Sequence, residues 1–149
     1  GDLARWSLST AAGSESDAVA ALRSPASAAH WRTEGPRPHI ARLAFDADVV
    51  VESVALHVRR TDLSFCPERV GVYGGSSSGG ELQKLAETDL ADGEQVVALA
   101  TRDPLRVLEV RVLTNVDGGR NSKVHGIAVR GYATSAPMQP APAIVTSSA

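Results

Sequence analysis

Apolar and polar residues alternate along most of the chain, and a period of two residues is typical of β-strands that bury one face. The alternation is clearest in HIARLAF (39–45) and SVALHVR (53–59), whose inward residues would be Ala41, Leu43, Phe45, Val54, Leu56 and Val58. ERVGVYGG (68–75) continues the pattern with Val70 and Val72, and further strand candidates are EQVVALA, LRVLEVRVL and KVHGIAVRGY. Most of the chain is therefore predicted to be β-sheet.

Turn-forming residues separate these segments. Gly-Pro, Ser-Ser-Ser-Gly-Gly, Ala-Asp-Gly, Arg-Asp-Pro and Asp-Gly-Gly recur at intervals of about 8 to 15 residues, as expected between short antiparallel strands. One helix is predicted in SDAVAALRSP (16–25), with Ser16 or Asp17 as its cap and with Val19 and Leu22 facing inward. The fold class is therefore all-β, an antiparallel sandwich or jelly roll with one short N-terminal helix.

The length of 149 residues suits one domain with a hydrophobic core, which we place at residues 1–134. Residues 135–149 are rich in Pro, Ala and Ser, and we expect a tail that is either flexible or docked onto a partner. The net charge of −2 gives no field that would attract nucleic acid or anionic lipid. Because Cys66 is the one cysteine, the chain cannot form an internal disulfide, which fits the reducing nucleus and cytoplasm, where we expect the protein.

No catalytic, metal or cofactor site can be assembled from the sequence. Cys66 lacks the glycine-flanked turn that exposes a nucleophile, and the four histidines lack the spacing of a metal site. The stretch GGSSSGGE (74–81) has two glycines of a phosphate-binding loop, but Gly80 and Glu81 stand where Lys and Ser or Thr are needed. We therefore expect a protein that is not an enzyme and that needs no metal or cofactor.

Four segments, in order, resemble the DOC domain, a family found in subunit ten of the anaphase-promoting complex and inside several larger ubiquitin ligases. The segments are ARWSLSTA (4–11), LRSPASAAHWRTEGPRPHIARLAF (22–45), TDLSFCPERVGVYGG (61–75) and LTNVDGGRNSKVHGIAV (113–129). The resemblance implies a galactose-binding-like jelly roll that recruits substrates for a ubiquitin ligase and has no catalytic activity. Within the family, KVHGIAV and RVGVYGG are more similar to DOC domains embedded in HECT-type or cullin-type ligases.

The resemblance further implies that three loops, 31–35, 62–67 and 115–123, gather at one end of the barrel. In the anaphase-promoting complex that end helps to hold the destruction box, a short Arg-x-x-Leu degron, jointly with an activator protein. The implied peptide-binding residues of this chain are Glu34, Asp62, Ser64, Phe65, Asn115, Arg120, Asn121 and Lys123. The implied partners are ubiquitin-ligase subunits, the activator protein and the degron peptide, and include neither nucleic acid nor membrane.

For several of these residues, a structural role within the loops is the alternative to peptide binding. Arg120 is expected either to contact the peptide through its forked donors or to brace the loops by pairing with Glu34 or Asp62. Asn115 and Asn121 are expected either to supply amides to the peptide backbone or to close the turn around two glycines.

The loops also depart from the family pattern. Glu34 replaces an aspartate, Phe65 replaces a tyrosine, and Asn121-Ser122-Lys123 replaces Asp-Thr-His, which removes an acid and adds a cation. For Ser64 the hydroxyl is expected to donate either to the ligand or to its own backbone.

Two other function classes compete with a ubiquitin-ligase module. A jelly roll that binds carbohydrate or a lipid headgroup would need exposed aromatic rings beside carboxylates at the loop end, and only Trp31 or Phe65 could supply them. We expect Trp6 and Trp31 to fill the core instead. A hydrolase would need a nucleophile, a base and an oxyanion donor in one place, and the sequence offers no such set.

Overall fold

In the computed structural model, residues 4–24, 29–35, 37–59, 65–76, 79–119 and 121–134 are described, and the predicted tail at 135–149 lies outside them. This part of the chain forms one α-helix, α1 (Glu15–Leu22), a short 3-10 helix (Val116–Gly118) and nine strands. The strands are β1 (Ala4–Leu8), β2 (Trp31–Arg32), β3 (His39–Val58), β4 (Pro67–Gly75), β5 (Gln83–Asp89), β6 (Gly93–Ala98), β7 (Leu105–Asn115), β8 (Lys123–Val124) and β9 (Gly126–Ala133). The predicted all-β fold with one short helix is confirmed. No helix in these residues is long and apolar enough to cross a membrane.

The long strand β3 belongs to both layers of the fold. Its first half pairs with β1 and β7, and its second half pairs with β6 and β9, in every case antiparallel. From β7 the sheet continues to β4 and then to the edge strand β5. The two predicted strands HIARLAF and SVALHVR are therefore one strand. The polar stretch 46–48 between them marks an irregularity in the ladder, a register shift between Ala44 and Val49, and not a turn.

Alternation predicted the core correctly. The inward residues of β3 are each 4% exposed or less, as are Val70 and Val72 of β4. Side chains from both halves of β3 belong to one core cluster with residues of β7 and β9, so the two layers face each other as a sandwich. A fully buried Val or Leu side chain contributes about 1.5–3 kcal/mol, so this shared core is the main source of stability.

The helix begins earlier than predicted. Ser14 is its cap and accepts a hydrogen bond from the Asp17 N–H at 3.2 Å, so the prediction of Ser16 or Asp17 as cap was wrong. Leu22 is buried as expected, but Val19, also predicted to face inward, is only half-buried, and the rest of the buried face consists of Ala18 and Ala21. These small side chains let the helix lie close to the strands that it covers.

Candidate binding site

The first and third predicted loops are joined by a pair of reciprocal hydrogen bonds. The Ser122 N–H donates to Thr33 Oγ1 at 2.7 Å, and the Thr33 N–H donates to the Ser122 carbonyl at 2.9 Å. Both residues are fully buried, and both adjoin the two-stranded sheet that β2 and β8 form. In that sheet Arg32 lies opposite Lys123. Two segments almost 90 residues apart in the chain are thus fixed side by side.

The described part of the second loop lies beside the third. The Val116 N–H donates to the Cys66 carbonyl at 2.9 Å, and Pro67 lies opposite Asn115 in the ladder of β4 and β7. Cys66 itself is 1% exposed, so its thiol has almost no access to solvent. The structure therefore brings the described parts of all three predicted loops to one end of the sandwich.

Asn115 closes the third loop from within. The side chain is 2% exposed, its amide N–H donates to the Asn121 carbonyl, and its Oδ1 accepts the Ser122 hydroxyl at 2.7 Å. These contacts correspond to the loop-closing role, one of the two roles that the sequence left open for Asn115. A contact between Asn115 and a peptide stays a prediction.

The Phe65 ring has two cations close to it. The guanidinium carbon of Arg32 is 5.1 Å from the centroid of the Phe65 ring, and the Lys123 ammonium is 4.7 Å from it. Both distances lie within the range of a cation–π interaction, which contributes about 0.5–1 kcal/mol at an exposed site. The ring is half-buried, and the cations beside it occupy space that a sugar would need for stacking.

A fourth segment, residues 9–12, supports the site and was not predicted. The Glu34 N–H donates to Thr10 Oγ1 at 3.1 Å, and the Thr10 hydroxyl donates to the Glu34 carbonyl at 2.8 Å. The Trp31 indole N–H donates to the Thr10 carbonyl at 2.8 Å, and the Ala12 N–H donates to the Arg32 carbonyl at 2.8 Å. Because these contacts fix its backbone, Glu34 extends an exposed side chain from a rigid loop.

The remaining predicted site residues divide into two groups. Asn121 and Lys123 are half-buried in the third loop, and the Lys123 ammonium lies beside the Phe65 ring. Asp62, Ser64 and Arg120 lie outside the described residues, so their roles stay predictions. Sequence reasoning missed Thr10, Thr33 and Ser122, for which the signal was weak: each is a small hydroxyl residue within a segment that resembles the family.

The aromatic residues are placed much as predicted. Trp31 is fully buried in the core, with its indole N–H bonded to Thr10. Trp6 is half-buried and packs against the same core. Neither ring is available as an open platform at the loop end.

Next to Lys123, the short stretch between β8 and β9 places a histidine among positive charges. His125 is 6% exposed, and its ring centroid is 5.2 Å from that of His30. Its backbone N–H donates to the His57 carbonyl at 2.8 Å. Burial, with smaller contributions from the neighbouring His30, Arg59, His57 and Lys123, lowers the pKa of His125 to about 4. The imidazole is therefore neutral at neutral pH. Among the described residues, no group of three side chains is placed to hold a metal ion.

The fold is shared with a class of binding modules. Chitosan-binding module 1 from a chitosanase/glucanase of Paenibacillus sp. IK-5 superposes with a TM-score of 0.69 at 13% identity, covering 87% of this chain and 96% of that one. The module CpGH89CBM32-5 of Clostridium perfringens, in complex with GalNAc-β-1,3-galactose, gives 0.67 at 11% identity, covering 85% and 94%. A fucolectin from striped bass (Morone saxatilis) serum gives 0.69 at 13% identity, covering 88% and 47%. At these identities the likeness shows the fold alone, and it confirms the predicted galactose-binding-like jelly roll.

Sequence similarity identifies the family within this class. The sequence model of the family described as anaphase-promoting complex, subunit 10 (APC10), matches residues 1–148. The chain therefore belongs to the APC10 family, whose shared unit is the DOC domain, a non-catalytic module of ubiquitin ligases. The predicted resemblance to the DOC domain is confirmed.

Proposed function

We propose that the chain recognises substrates for the anaphase-promoting complex, as a co-receptor for the destruction box that acts jointly with an activator protein. In this role it makes ubiquitination in the cell cycle more processive and works in the nucleus and cytoplasm. The family match over residues 1–148 supports a ubiquitin-ligase module. The observation that carries the peptide site is the end of the sandwich, where hydrogen bonds tie four chain segments together and those between the first and third loops are buried.

The geometry suits a peptide held by few contacts. Asn121, Lys123, Phe65 and Glu34 surround a rigid base, and each has part of its side chain exposed. Since most of the binding energy of an interface lies in a few side chains, we expect an affinity of tens of micromolar or weaker for a short peptide alone. The activator protein would supply the remaining contacts through avidity.

The direct test is peptide binding by a variant that leaves the loop base intact. Asn121→Ala with Lys123→Ala removes two half-exposed side chains but keeps Asn115, Thr33 and Ser122. Binding of a labelled destruction-box peptide, in the presence of the activator, is measured by fluorescence anisotropy together with the melting temperature. We expect binding to fall at least about fivefold, as for the loss of one or two moderate contacts, with an unchanged melting temperature.

A matched control removes an amide and a cation from another part of the molecule. Gln83→Ala with Arg130→Ala also deletes one amide and one cation, and both residues are exposed on strands β5 and β9, away from the loop end. The control should bind like wild type. Normal binding by the Asn121 and Lys123 double variant would remove this end of the sandwich from the peptide site.

Two alternatives remain open to experiment. Co-purification from native extract with mass spectrometry distinguishes the anaphase-promoting complex from another large ligase that contains a DOC domain. A glycan array tests carbohydrate binding, which only the fold supports. The buried Trp31 and the cations beside Phe65 are an argument against a stacked sugar.

A further inference from the structure

Arg32 and Lys123 are directly opposite each other in the small sheet of β2 and β8. Like charges at opposite positions of an antiparallel pair destabilise the pairing. This sheet is only two residues long on each side, so it has few other cross-strand pairs to offset the repulsion. Departures from such local rules concentrate at functional sites, where the lost stability is offset elsewhere in the fold.

The two cations are also held near one another by a shared neighbour. Both lie within cation–π distance of the Phe65 ring, at 5.1 and 4.7 Å from its centroid. The reciprocal bonds between Thr33 and Ser122, one residue away on each strand, fix the spacing of the two backbones. Because the positive groups are positioned before any ligand arrives, binding of an anion would not incur the entropic cost of ordering them.

The surroundings add positive charge. Arg59 and Lys123 both lie close enough to His125 to lower its pKa, as do the side chains of His30 and His57. Carboxylates also lie on the described elements beside this sheet: Glu34 is exposed just beyond β2, and Glu15 and Asp17 are in the first turn of α1, which packs against β2. The Glu15 carboxylate accepts a hydrogen bond from the Leu8 N–H at 3.0 Å.

We propose that Arg32 and Lys123 bind the carboxylate of an aspartate or glutamate in the partner peptide. The guanidinium provides a planar fork that matches the two carboxylate oxygens, and the ammonium adds a point charge from the opposite strand. The inference rests on the proposed function, since it names the chemistry of the peptide that this end of the sandwich receives. It adds a preference for acidic residues flanking the degron.

The test separates the acidic contact from degron recognition by using peptides that vary each feature alone. One pair carries an Arg-Ala-Ala-Leu core followed by three glutamates or three glutamines, and a second pair carries the same tails after a core of four alanines. Binding to the whole chain is measured by fluorescence anisotropy at 50 mM and 300 mM NaCl. The glutamate tail should bind about fivefold tighter than the glutamine tail at low salt, the value of a moderate ion pair, and less so at high salt.

Charge variants assign the effect to the two residues. Arg32→Gln with Lys123→Gln should abolish the preference for glutamate, and Arg32→Gln with Lys123→Glu should favour a tail of three lysines. Arg5→Gln with Arg130→Gln removes the same charge from exposed positions on β1 and β9 and should keep the glutamate preference. If the double glutamine variant fails to fold, the single variants Arg32→Gln and Lys123→Gln assign the effect, and each should reduce the glutamate preference.

Each result has one meaning. Equal binding of glutamate and glutamine tails, or tighter binding of a lysine tail, overturns the proposal while leaving degron recognition intact. A glutamate preference together with equal affinity for the Arg-Ala-Ala-Leu and the all-alanine cores supports the acidic contact and counts against degron recognition. Binding of a phosphoserine tail without binding of a glutamate tail overturns the assignment to a carboxylate, and no binding by any peptide overturns both proposals.

Discussion

Opposite charges face each other on the outer surface of the large sheet, whereas like charges face each other at the loop end. On the sheet, Arg42 of β3 lies opposite Glu109 of β7 and donates to it at 2.5 Å, and Arg111 donates to the other oxygen of Glu109 at 2.9 Å. At the loop end, Arg32 lies opposite Lys123. The first arrangement stabilises the fold, whereas the second places two cations side by side at the proposed peptide site.

The two regions also differ in burial, because the sheet cluster is built around the buried carboxylate of Glu109. Glu109 is 6% exposed although it is charged, because Arg42 and Arg111 cover it and Arg111 in turn lies 4.0 Å above the ring of Tyr73. A buried carboxylate is tolerated only when it is paired and hydrogen-bonded. On the sheet the Glu109 carboxylate is thus buried beneath its two cations, whereas the cations of the loop end are at least partly exposed.

The largest effect is expected from breaking the sheet cluster. Glu109→Ala leaves Arg42 and Arg111 beside an emptied, poorly solvated space, and we expect a loss of about 3 kcal/mol in the free energy of unfolding. Urea unfolding followed by circular dichroism measures this. Glu94→Ala, an exposed glutamate on β6, is the control and should change stability by less than about 0.5 kcal/mol. Equal effects of the two substitutions would contradict the interpretation that the sheet cluster is an interior feature.

The next largest effect concerns pH at the loop end. The pKa of His125 is about 4 in the folded chain against 6.5 for an ordinary histidine, so between these values the unfolded state binds more protons. The free energy of unfolding should therefore fall as pH is lowered from about 6.5 to 4, by on the order of 2 kcal/mol. Urea unfolding at pH 7 and pH 4.5 measures the fall. His125→Gln should reduce it, and an identical fall in the variant would rule out His125 as its source.

A smaller effect should follow from opening the third loop. Asn115→Ala removes one buried and one partly buried hydrogen bond that close the third loop, which should cost about 1–2 kcal/mol and weaken peptide binding. Asn121→Ala, whose backbone carbonyl is kept, should leave stability within about 0.5 kcal/mol of wild type. Thermal melts and the anisotropy assay on both variants check this. A stable Asn115 variant that binds normally would show that the closure is dispensable.

The smallest effect compares one cation of the loop end with one cation of the sheet cluster. Arg32→Gln loses a cation–π contact but relieves a like-charge pair, so we expect a change below about 0.5 kcal/mol. The same substitution at Arg111 loses a bond to a buried carboxylate and should cost more than about 1 kcal/mol. The two variants are compared by urea unfolding in the same buffer. A larger loss at Arg32 would mean that its charge serves the fold.

The core could be predicted from sequence because burial leaves a local signature. Residues such as Leu43, Leu56 and Val72 follow the period of two that a half-buried strand requires. β5 lacks that signature and was missed, because an edge strand needs little burial. Its sequence QKLAETD is held instead by polar pairs, among them the bonds from Arg69 to Glu87 and Asp89.

The site was less predictable because its contacts connect distant parts of the sequence. The resemblance placed 31–35 beside 115–123, but only the structure shows that Thr33 and Ser122 make the connection across 89 residues. No local pattern distinguishes these hydroxyls from the many surface serines of the chain. Likewise, Glu109 occurs in an alternating strand, and nothing in that pattern indicates that Arg42 will cover it.

Because β3 belongs to both layers of the sandwich, it constrains the order in which the chain can fold during synthesis. The second half of β3 emerges from the ribosome long before its partner β9, which ends at Ala133. Until then the nascent chain exposes Val49, Val51 and Val54 without the opposite strand, a surface prone to association with other chains. Pairings of such long sequence separation are slow, on the order of milliseconds to seconds. A chain stalled before β9 is therefore a natural client for chaperones.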